Sequence, residues 1–209
     1  MRSLVPTALA HHLHRGAWAF LLAPVLGGCL TYTVAPDIVP ERLPKLEPVV
    51  QARAILLLTP AFSSVVGQHQ EWDADIPMRH TWRYQVGSAA DSAIRLWASN
   101  SFAKVEVRRL SEDEALLHFM TGRDADSTDV LLLPRLEGQV GGSPYAGMRF
   151  PVSMRVDTRV MRTGSTFSVP ASATTRNSWF RSSEHDSGKA LTAAIAALNA
   201  GFMARRGGL

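Results

Sequence analysis

The chain has 209 residues, with 22 lysines and arginines against 18 aspartates and glutamates, and one cysteine. A single cysteine excludes an internal disulfide framework, and the length suits one domain of about 100–200 residues with a leader. The excess of positive charge is small and no basic run accompanies it, so a nucleic-acid partner is not expected.

The N-terminal segment has the layout of a secretory signal. Two arginines precede an apolar run over residues 17–26, which has the length of a signal-peptide core and is too short to span a bilayer comfortably. Two glycines follow, directly before Cys29. The sequence therefore predicts that residues 1–28 are a signal peptide. Its removal leaves 20 basic and 18 acidic residues, a net charge of about +2.

The stretch Leu26-Gly27-Gly28-Cys29 resembles the bacterial lipobox, Leu-x-Gly-Cys, whose thiol receives a diacylglycerol. The resemblance implies that Cys29 is the lipidation site and carries acyl chains such as palmitate. Leu30, rather than Asp, follows the cysteine, as in lipoproteins that are sorted to the outer membrane. One acyl chain binds a membrane only marginally, so two or three are needed for a stable anchor. The alternative is an ordinary secretory signal or a short uncleaved anchor.

Residues 29–50 follow as the lipidated cysteine and a proline-rich arm, and residues 51–209 as one periplasmic domain. Prolines recur every fourth residue in the arm, at positions 36, 40, 44 and 48. Because proline fixes φ and disfavours helix, the arm is predicted to be an extended tether that holds the domain away from the lipid. The alternative is an arm that packs across the domain, and the two can coexist.

The first half of the domain is predicted to alternate strands and a helix. The continuous apolar run of residues 53–59 is typical of a strand buried on both faces. Residues 62–79 show no period and are predicted to be a long loop, and residues 81–86 to be a short strand or an extended lead into a helix. A helix is predicted from Ser88, capped by that hydroxyl with Asp91 in a variant capping box, to about Ser101.

A strand with one solvated face is predicted over residues 104–110. Ser111 and Glu114 form a second capping box, which predicts a short helix over residues 112–121 that Gly122 terminates. Residues 124–128 are predicted to be a polar loop.

A buried strand is predicted over residues 129–136, with Pro134 indicating an edge or bulge near its end. After a glycine-rich loop at 138–147, residues 150–162 and 166–173 are predicted to form a hairpin around Thr163-Gly164.

The last helix is predicted over residues 188–205, with one apolar face. The strands are not all separated by helices, so the predicted fold class is α+β. We expect a single mixed sheet of about four to six strands with the two main helices on one face.

Three segments in this order carry a resemblance to a known group of proteins. They are Val86-Gly87-Ser88-Ala89-Ala90-Asp91, Phe102-Ala103-Lys104-Val105-Glu106-Val107 and Asp129-Val130-Leu131-Leu132-Leu133-Pro134. With the lipobox and the arm, they resemble small periplasmic lipoproteins of the ABC-transport auxiliary and curli-secretion-like groups. The resemblance covers roughly residues 53–205. It implies a non-enzymatic envelope component that assists transport, secretion or assembly, often through oligomers.

Catalytic motifs are missing from the sequence. It contains no Gly-x-Ser-x-Gly elbow, no Walker motif and no Gly-x-Gly-x-x-Gly, so no phosphate-binding cofactor is expected. The run Ser183-Glu184-His185-Asp186-Ser187 is interpreted as the loop and cap before the last helix, because sequence neighbours rarely converge as a triad does. A hydrolase is the least favoured function, and it would need His69, His80 or His185 beside a carboxylate.

The best candidate metal cluster is His69, Asp73, Asp75 and His80, in the unperiodic segment. Its spacing matches no zinc-binding pattern, so a solvated loop is the preferred interpretation and no metal is expected. His118 lies in the short predicted helix beside Phe119 and is interpreted as a packing residue rather than a ligand.

Four aromatic residues are candidates for ligand binding, namely Trp72, Trp82, Tyr84 and Tyr145. They could form a platform for cell-wall glycan or lipid, or a protein contact. Packing at the ends of the sheet is the alternative and is favoured. The charged face of residues 155–159 is interpreted as solvated or as a subunit interface.

The sequence therefore predicts a non-catalytic outer-membrane lipoprotein that faces the periplasm and binds envelope proteins or itself. A glycan- or lipid-binding module is the second hypothesis.

Overall fold

A computed structural model describes residues 29–73, 78–123, 127–137, 149–176, 183–205 and 207. The chain divides into two compact units. Of the described residues, the smaller unit contains 29–32, 70–73 and 78–81, and the larger unit contains the rest.

The described chain is an α+β fold, as the sequence predicts. The strands are β1 (Cys29–Val34), β2 (Val50–Leu58), β3 (Gly67–Asp73), β4 (Met78–Tyr84), β5 (Phe102–Arg109), β6 (Val130–Glu137), β7 (Arg149–Val160) and β8 (Thr166–Arg176). The helices are α1 (Pro60–Ser63), α2 (Val86–Ser101), α3 (Glu112–Thr121) and α4 (Ser183–Ala204), and a 3-10 turn covers Pro40–Arg42. Within these described helices, none is long and apolar enough to cross a membrane.

The strands form two sheets, and the prediction of a single sheet is wrong. One sheet has the order β5-β2-β6-β7-β8, and the other has the order β1-β4-β3. In the first, β2 is parallel to both β5 and β6, while β7 is antiparallel to β6 and to β8. The mixed five-stranded sheet corresponds to the predicted one, and the three-stranded sheet is the additional feature.

The second sheet arises from the segment that was predicted to be a loop. Residues 62–79 contain the end of α1, all of β3 and the first residues of β4. The sequence of β3, GQHQEWD, has no apolar alternation, and the strand is identified by its pairing with β4. Periodicity therefore gave no signal for this strand.

The strand order places α2 and α3 on opposite faces of the five-stranded sheet. The chain passes from β2 through α2 to β5 on one side, then through α3 to β6 on the other side of β2. Parallel crossovers are right-handed, so reversing the direction along the sheet reverses the face that the helix covers. This arrangement explains why β2 is buried on both faces, as its continuous apolar run predicts.

The larger core lies on the face covered by α2 and α4. Ala54 and Leu56 of β2 belong to this core, together with Ile94 and Trp97 of α2 and the apolar face of α4. The apolar face predicted for the last helix is fully buried, and its residues are Ala190, Leu191, Ala194, Ile195, Leu198 and Phe202. The prediction of two main helices on one face is confirmed.

The smaller core lies under α3. Ile55 and Leu57, the alternate residues of β2, pack with Ala115 and Phe119 of α3. The predicted capping box of Ser111 and Glu114 is confirmed, since each side chain bonds the other residue's backbone amide. Gly122 ends the helix at φ 63°, a left-handed conformation that favours glycine.

The hairpin of β7 and β8 is also as predicted, with its turn at Gly164. The predicted loop at 138–147, and residues 124–126 of the loop at 124–128, are not among the described residues. Pro134 lies beyond the β2–β6 pairing, which runs from Val130 to Leu132. One edge of β6 is therefore unpaired with β2 at this position, as proline prefers.

Two predicted helix starts are wrong. In α2 the N-cap is Gln85 without a side-chain bond, and the Ser88 hydroxyl donates to the Gln85 carbonyl instead of capping the amides. In α4 the helix begins at Ser183, five residues before Gly188. Contacts of these first turns with other parts of the fold decide both boundaries, and local sequence patterns do not contain that information.

Much of the proline-rich arm packs on the domain. Val34, Leu43 and Leu46 are buried in the larger core, and the Leu46 amide donates to the Ser101 hydroxyl over 3.1 Å. Residues 33–50 thus correspond to the alternative of an arm that packs across the domain, and not to a free spacer.

Candidate functional site

Cys29, the predicted lipidation site, is the first residue of β1 and is exposed. Leu30 and Tyr32 beside it are also exposed. The Tyr32 ring stacks on the His80 ring with centroids 5.9 Å apart, and the Tyr32 hydroxyl lies 3.3 Å from His80 Nδ1. The cysteine is therefore accessible for modification. The predicted signal peptide, residues 1–28, lies outside the described residues.

The candidate aromatic residues do not all lie at a surface. Trp82 and Tyr84 are buried in the larger core, where the Tyr84 and Phe150 rings meet edge to face at 5.5 Å. They have a packing role and offer little surface to a glycan or lipid. Trp72 lies in β3, but its side chain is not among those described, and Tyr145 falls outside the described ranges.

The candidate metal cluster gains no support from the described part of the chain. His69 lies in β3 and His80 in β4, whereas Asp75 and the side chain of Asp73 are outside the described set. Among described side chains, no three His, Cys, Asp or Glu residues are grouped closely enough to hold a metal ion.

The residues of the suggestive run at 183–187 bond the backbone. The Ser187 hydroxyl donates to the Glu184 carbonyl over 3.0 Å, and the Asp186 carbonyl accepts from the Thr175 hydroxyl over 2.7 Å. The Glu184 carbonyl also accepts from the Asp37 amide. Asp186 and Ser187 are buried. These contacts tie the first turns of α4 to β8 and to the proline-rich arm.

Asp91 lies at the centre of a network of hydrogen bonds and ion pairs that sequence reasoning missed. It is buried in α2 and accepts from the Ser63 hydroxyl at 2.8 Å and from Arg95 Nε at 2.7 Å. Arg109 at the end of β5 binds both carboxylate oxygens, at 3.0 and 3.2 Å. The sequence predicts only a capping role for Asp91. Its partners Ser63 and Arg109 are distant along the chain, so local patterns do not indicate them.

The partners of Asp91 determine its ionisation. Burial by itself raises the pKa of the carboxyl, but the Ser63 hydrogen bond and the guanidinium groups of Arg109 and Arg95 outweigh it, so that the pKa lies below its ordinary value of 3.8. The ionised carboxylate therefore joins α1, α2 and β5 at neutral pH. It is saturated with protein donors, so we assign it a structural role.

A cleft lies at the carboxyl ends of β2 and β6, where the strand order reverses. Ligands of open α/β sheets commonly bind at such points. The cleft has a volume of about 240 Å³ and is lined by Phe62, Leu133 and Leu136 together with Asp113 and Leu116 of α3. This volume is below the roughly 300 Å³ at which small-molecule sites begin. The cleft suits a single inserted side chain better than a cofactor.

The outward side of α3 borders this cleft and is apolar. Leu116, Leu117 and Met120, called the α3 patch below, are 45%, 54% and 62% exposed. The ends of the helix are fixed by the capping box and by Arg159, which donates to the Phe119 and Met120 carbonyls. The α3 patch is thus an apolar surface on a well-anchored helix. In the sequence, the α3 patch is indicated only by apolar residues at helix positions that do not face the core.

The polar face of β7 carries an ion-pair cluster. Asp157 lies 3.2 Å from Arg135 Nε and 3.2 Å from Arg155 Nε, and it accepts from the Ser168 hydroxyl. This is the charged face that the sequence left open as a solvated surface or a subunit interface. Its charges are compensated within the sheet.

Comparison with known proteins gives similar folds at low identity. No family model and no curated protein matches the chain. A Xanthomonas campestris protein of the family DUF330 is similar over 83% of this chain and 91% of its own length, with 10% identity and a TM-score of 0.44. A PelC dodecamer from Paraburkholderia phytofirmans covers 76% and 91%, with 15% identity and a TM-score of 0.36.

A lipoprotein from Neisseria meningitidis is similar over 75% of this chain and 99% of its own length, with 14% identity and a TM-score of 0.36. These three proteins are bacterial and one is a lipoprotein, but they single out neither the ABC-transport auxiliary nor the curli-secretion-like group. At such identities no role transfers between chains. The function is therefore argued from this chain's own residues.

Proposed function

We propose that this protein is a lipoprotein of the bacterial envelope, held at the outer membrane through acyl chains on Cys29 and facing the periplasm. The observation that carries the proposal is the exposed Cys29 directly after Leu26-Gly27-Gly28. The thiol is exposed and therefore accessible for acylation. Cys29 is also the first residue of β1, so the proposed lipid anchor joins the protein at a strand.

The residues beside the anchor suit a lipid interface. Leu30 and Tyr32 are exposed on the same strand as Cys29. A tyrosine combines an apolar ring with a polar hydroxyl, which favours the headgroup region of a bilayer. We therefore expect this end of β1 to contact lipid once Cys29 is acylated.

We further propose that the domain acts without catalysis, as an assembly or accessory component of transport or secretion that binds proteins. The α3 patch supports this role, because apolar side chains grouped on one exposed helix face commonly mark interaction surfaces. The buried Asp186 and Ser187, whose contacts stabilise the start of α4, support a structural role for the run that most resembled a hydrolase site.

Anchoring can be tested by labelling cells with radioactive palmitate and separating the two membranes. We expect label on the wild-type protein and its recovery in the outer-membrane fraction, and neither for Cys29→Ser. Leu30→Asp is the matched sorting variant, and we expect it to keep the label and shift toward the inner membrane. Unlabelled wild-type protein would contradict the proposal.

A further inference from the structure

The exposed side chains of the α3 patch lie on one face of the helix. Leu116 and Met120 are four positions apart and Leu117 and Met120 three, which brings them together on an α-helix. The opposite face, with Ala115 and Phe119, is already buried against the sheet. The α3 patch therefore does not belong to the core. It is a second apolar surface on the same short helix.

Opposite charges flank the α3 patch along the helix axis. The first turn is acidic, with Glu112, Asp113 and Glu114. Glu112 accepts from the Ala61 amide and Glu114 closes the capping box, whereas Asp113 is exposed. Arg123, directly after the helix terminator Gly122, is exposed at the other end. The surface therefore runs from negative through apolar to positive.

Such a surface is complementary to itself in the antiparallel direction. We infer that a second copy of this chain docks on the α3 patch, with its α3 antiparallel to the first about a two-fold axis. The apolar residues of both copies then meet at the axis, and Asp113 of each copy lies beside the second copy's Arg123. Two-fold contacts of this kind use the same surface on both subunits and are the commonest form of oligomer.

One further feature favours this arrangement over docking of an unrelated partner. The antiparallel direction brings the second copy's Met120 toward Asp113 and Leu116, which line the cleft of about 240 Å³. A flexible methionine is suited to contact the apolar part of an irregular cleft of this size, which Phe62, Leu116 and Leu133 line beside polar residues.

The contact is small, and the membrane is expected to amplify it. A ten-residue helix is about 15 Å long, and α3 alone offers less than the roughly 800 Å² per partner of a stable interface. Confinement to a bilayer raises the effective concentration, as linking does for multivalent binders. This amplification rests on the proposed lipid anchor, whereas the geometry of the contact does not.

Site-specific cross-linking of the full-length protein in intact envelopes tests the inference. Leu117 lies near the proposed axis, so residue 117 of one copy faces residue 117 of the second copy. Leu117→Cys should therefore form a disulfide-linked dimer under mild oxidation with copper phenanthroline. Val66→Cys is the matched control, since Val66 is an exposed apolar residue of similar exposure, 48%, outside α3. We expect at least a tenfold higher dimer yield from Leu117→Cys than from Val66→Cys.

Mass spectrometry of the linked peptides separates the outcomes. A bond between residues 117 of two copies supports the inference, and equal yields from the two variants or a bond only to another protein overturns it. The parent chain carries only Cys29, so a linked dimer of the parent would reveal a free thiol there. That result would contradict the proposed anchor and leave the contact at position 117 to be judged separately.

A charge reversal tests the antiparallel direction without depending on a thiol. Asp113→Arg places two like-charged pairs in the dimer and should weaken cross-linking through Leu117→Cys about fivefold to tenfold, as exposed ion pairs allow. The double variant with Arg123→Asp should restore the yield, because both pairs re-form with inverted signs. Failure of the double variant to restore it would contradict the antiparallel arrangement.

Discussion

The two faces of the five-stranded sheet are used differently. On one face α2 and α4 bury a continuous core that includes Trp97 and Phe202, and little of it reaches solvent. On the other face α3 covers only a small cluster around Ile55 and Phe119 and keeps the α3 patch exposed. The comparison separates a face whose packing determines stability from a face that keeps apolar side chains exposed.

Truncating the larger core is expected to have the largest effect. Trp97 is fully buried, packs on Phe202 with ring centroids 5.0 Å apart, and donates from Nε1 to the Asn199 side chain. Trp97→Ala should therefore lower the free energy of unfolding by about 3–5 kcal/mol, measured by urea titration with circular dichroism. Trp97→Phe should lose less, and equal losses would contradict a cavity-based cost.

Asp91→Asn should have the next largest effect and a distinctive pH dependence. The variant keeps the shape of the side chain but leaves Arg95 and Arg109 without a counter-charge. Because both guanidinium groups are partly exposed, we expect a loss of about 2 kcal/mol at pH 7, below the roughly 3–5 kcal/mol of a fully buried pair.

The sign of the pH dependence follows from the lowered pKa of Asp91. The folded protein binds this proton less tightly than the unfolded chain does, so the carboxylate contributes stability above about pH 4 that is lost as the pH falls through the folded pKa. Urea titrations should thus show the difference between wild type and Asp91→Asn shrinking as the pH falls below about 4. Asp129→Asn, at an exposed carboxylate that pairs with Arg53 and accepts from the Arg53 amide, is the weaker comparison and should cost no more than about 1 kcal/mol.

On the α3 face, Ser111→Ala should cost about 1 kcal/mol, because it removes the hydroxyl of a complete capping box. The same substitution inside a helix, Ser92→Ala in α2, should cost nothing or stabilise slightly. Chemical denaturation of the two variants measures the difference. A loss for Ser111→Ala no larger than that for Ser92→Ala would contradict a stabilising role of the capping box.

At Thr158, in the larger core, the expected effect is a gain in stability rather than a loss. The Thr158 hydroxyl is fully buried on the apolar face of β7 and has no hydrogen-bond partner among the described residues. Thr158→Val keeps the side-chain shape and removes this unpaired group, so we expect stabilisation of about 1 kcal/mol. Thermal unfolding should show a higher midpoint, and a loss instead would indicate that the hydroxyl has a partner after all.

Sequence reasoning succeeded where the pattern is local and failed where distant pairing defines the element. Strong local patterns predicted β2, the β7–β8 hairpin, the caps of α3 and the buried face of α4, because periodicity and capping chemistry reside in neighbouring residues. The additional sheet was missed because β3 is defined by pairing and not by an apolar pattern.

The candidate site could be predicted only in part. Cys29 follows from a local motif, and the structure shows it exposed. The role of Asp91 could not be read from the chain, since its partners Ser63 and Arg109 come from distant positions. The α3 patch could be recognised only once Ala115 and Phe119 were known to be the buried side of that helix.

The most direct test of the central claim is the intact mass of the protein extracted from membranes, measured beside Cys29→Ser. We predict a wild-type chain that starts at Cys29 and carries the mass of two or three acyl chains, and a Cys29→Ser chain without acyl mass. An unmodified wild-type chain, or one that starts at another residue, would contradict the lipid anchor and with it the proposed place of this protein in the envelope.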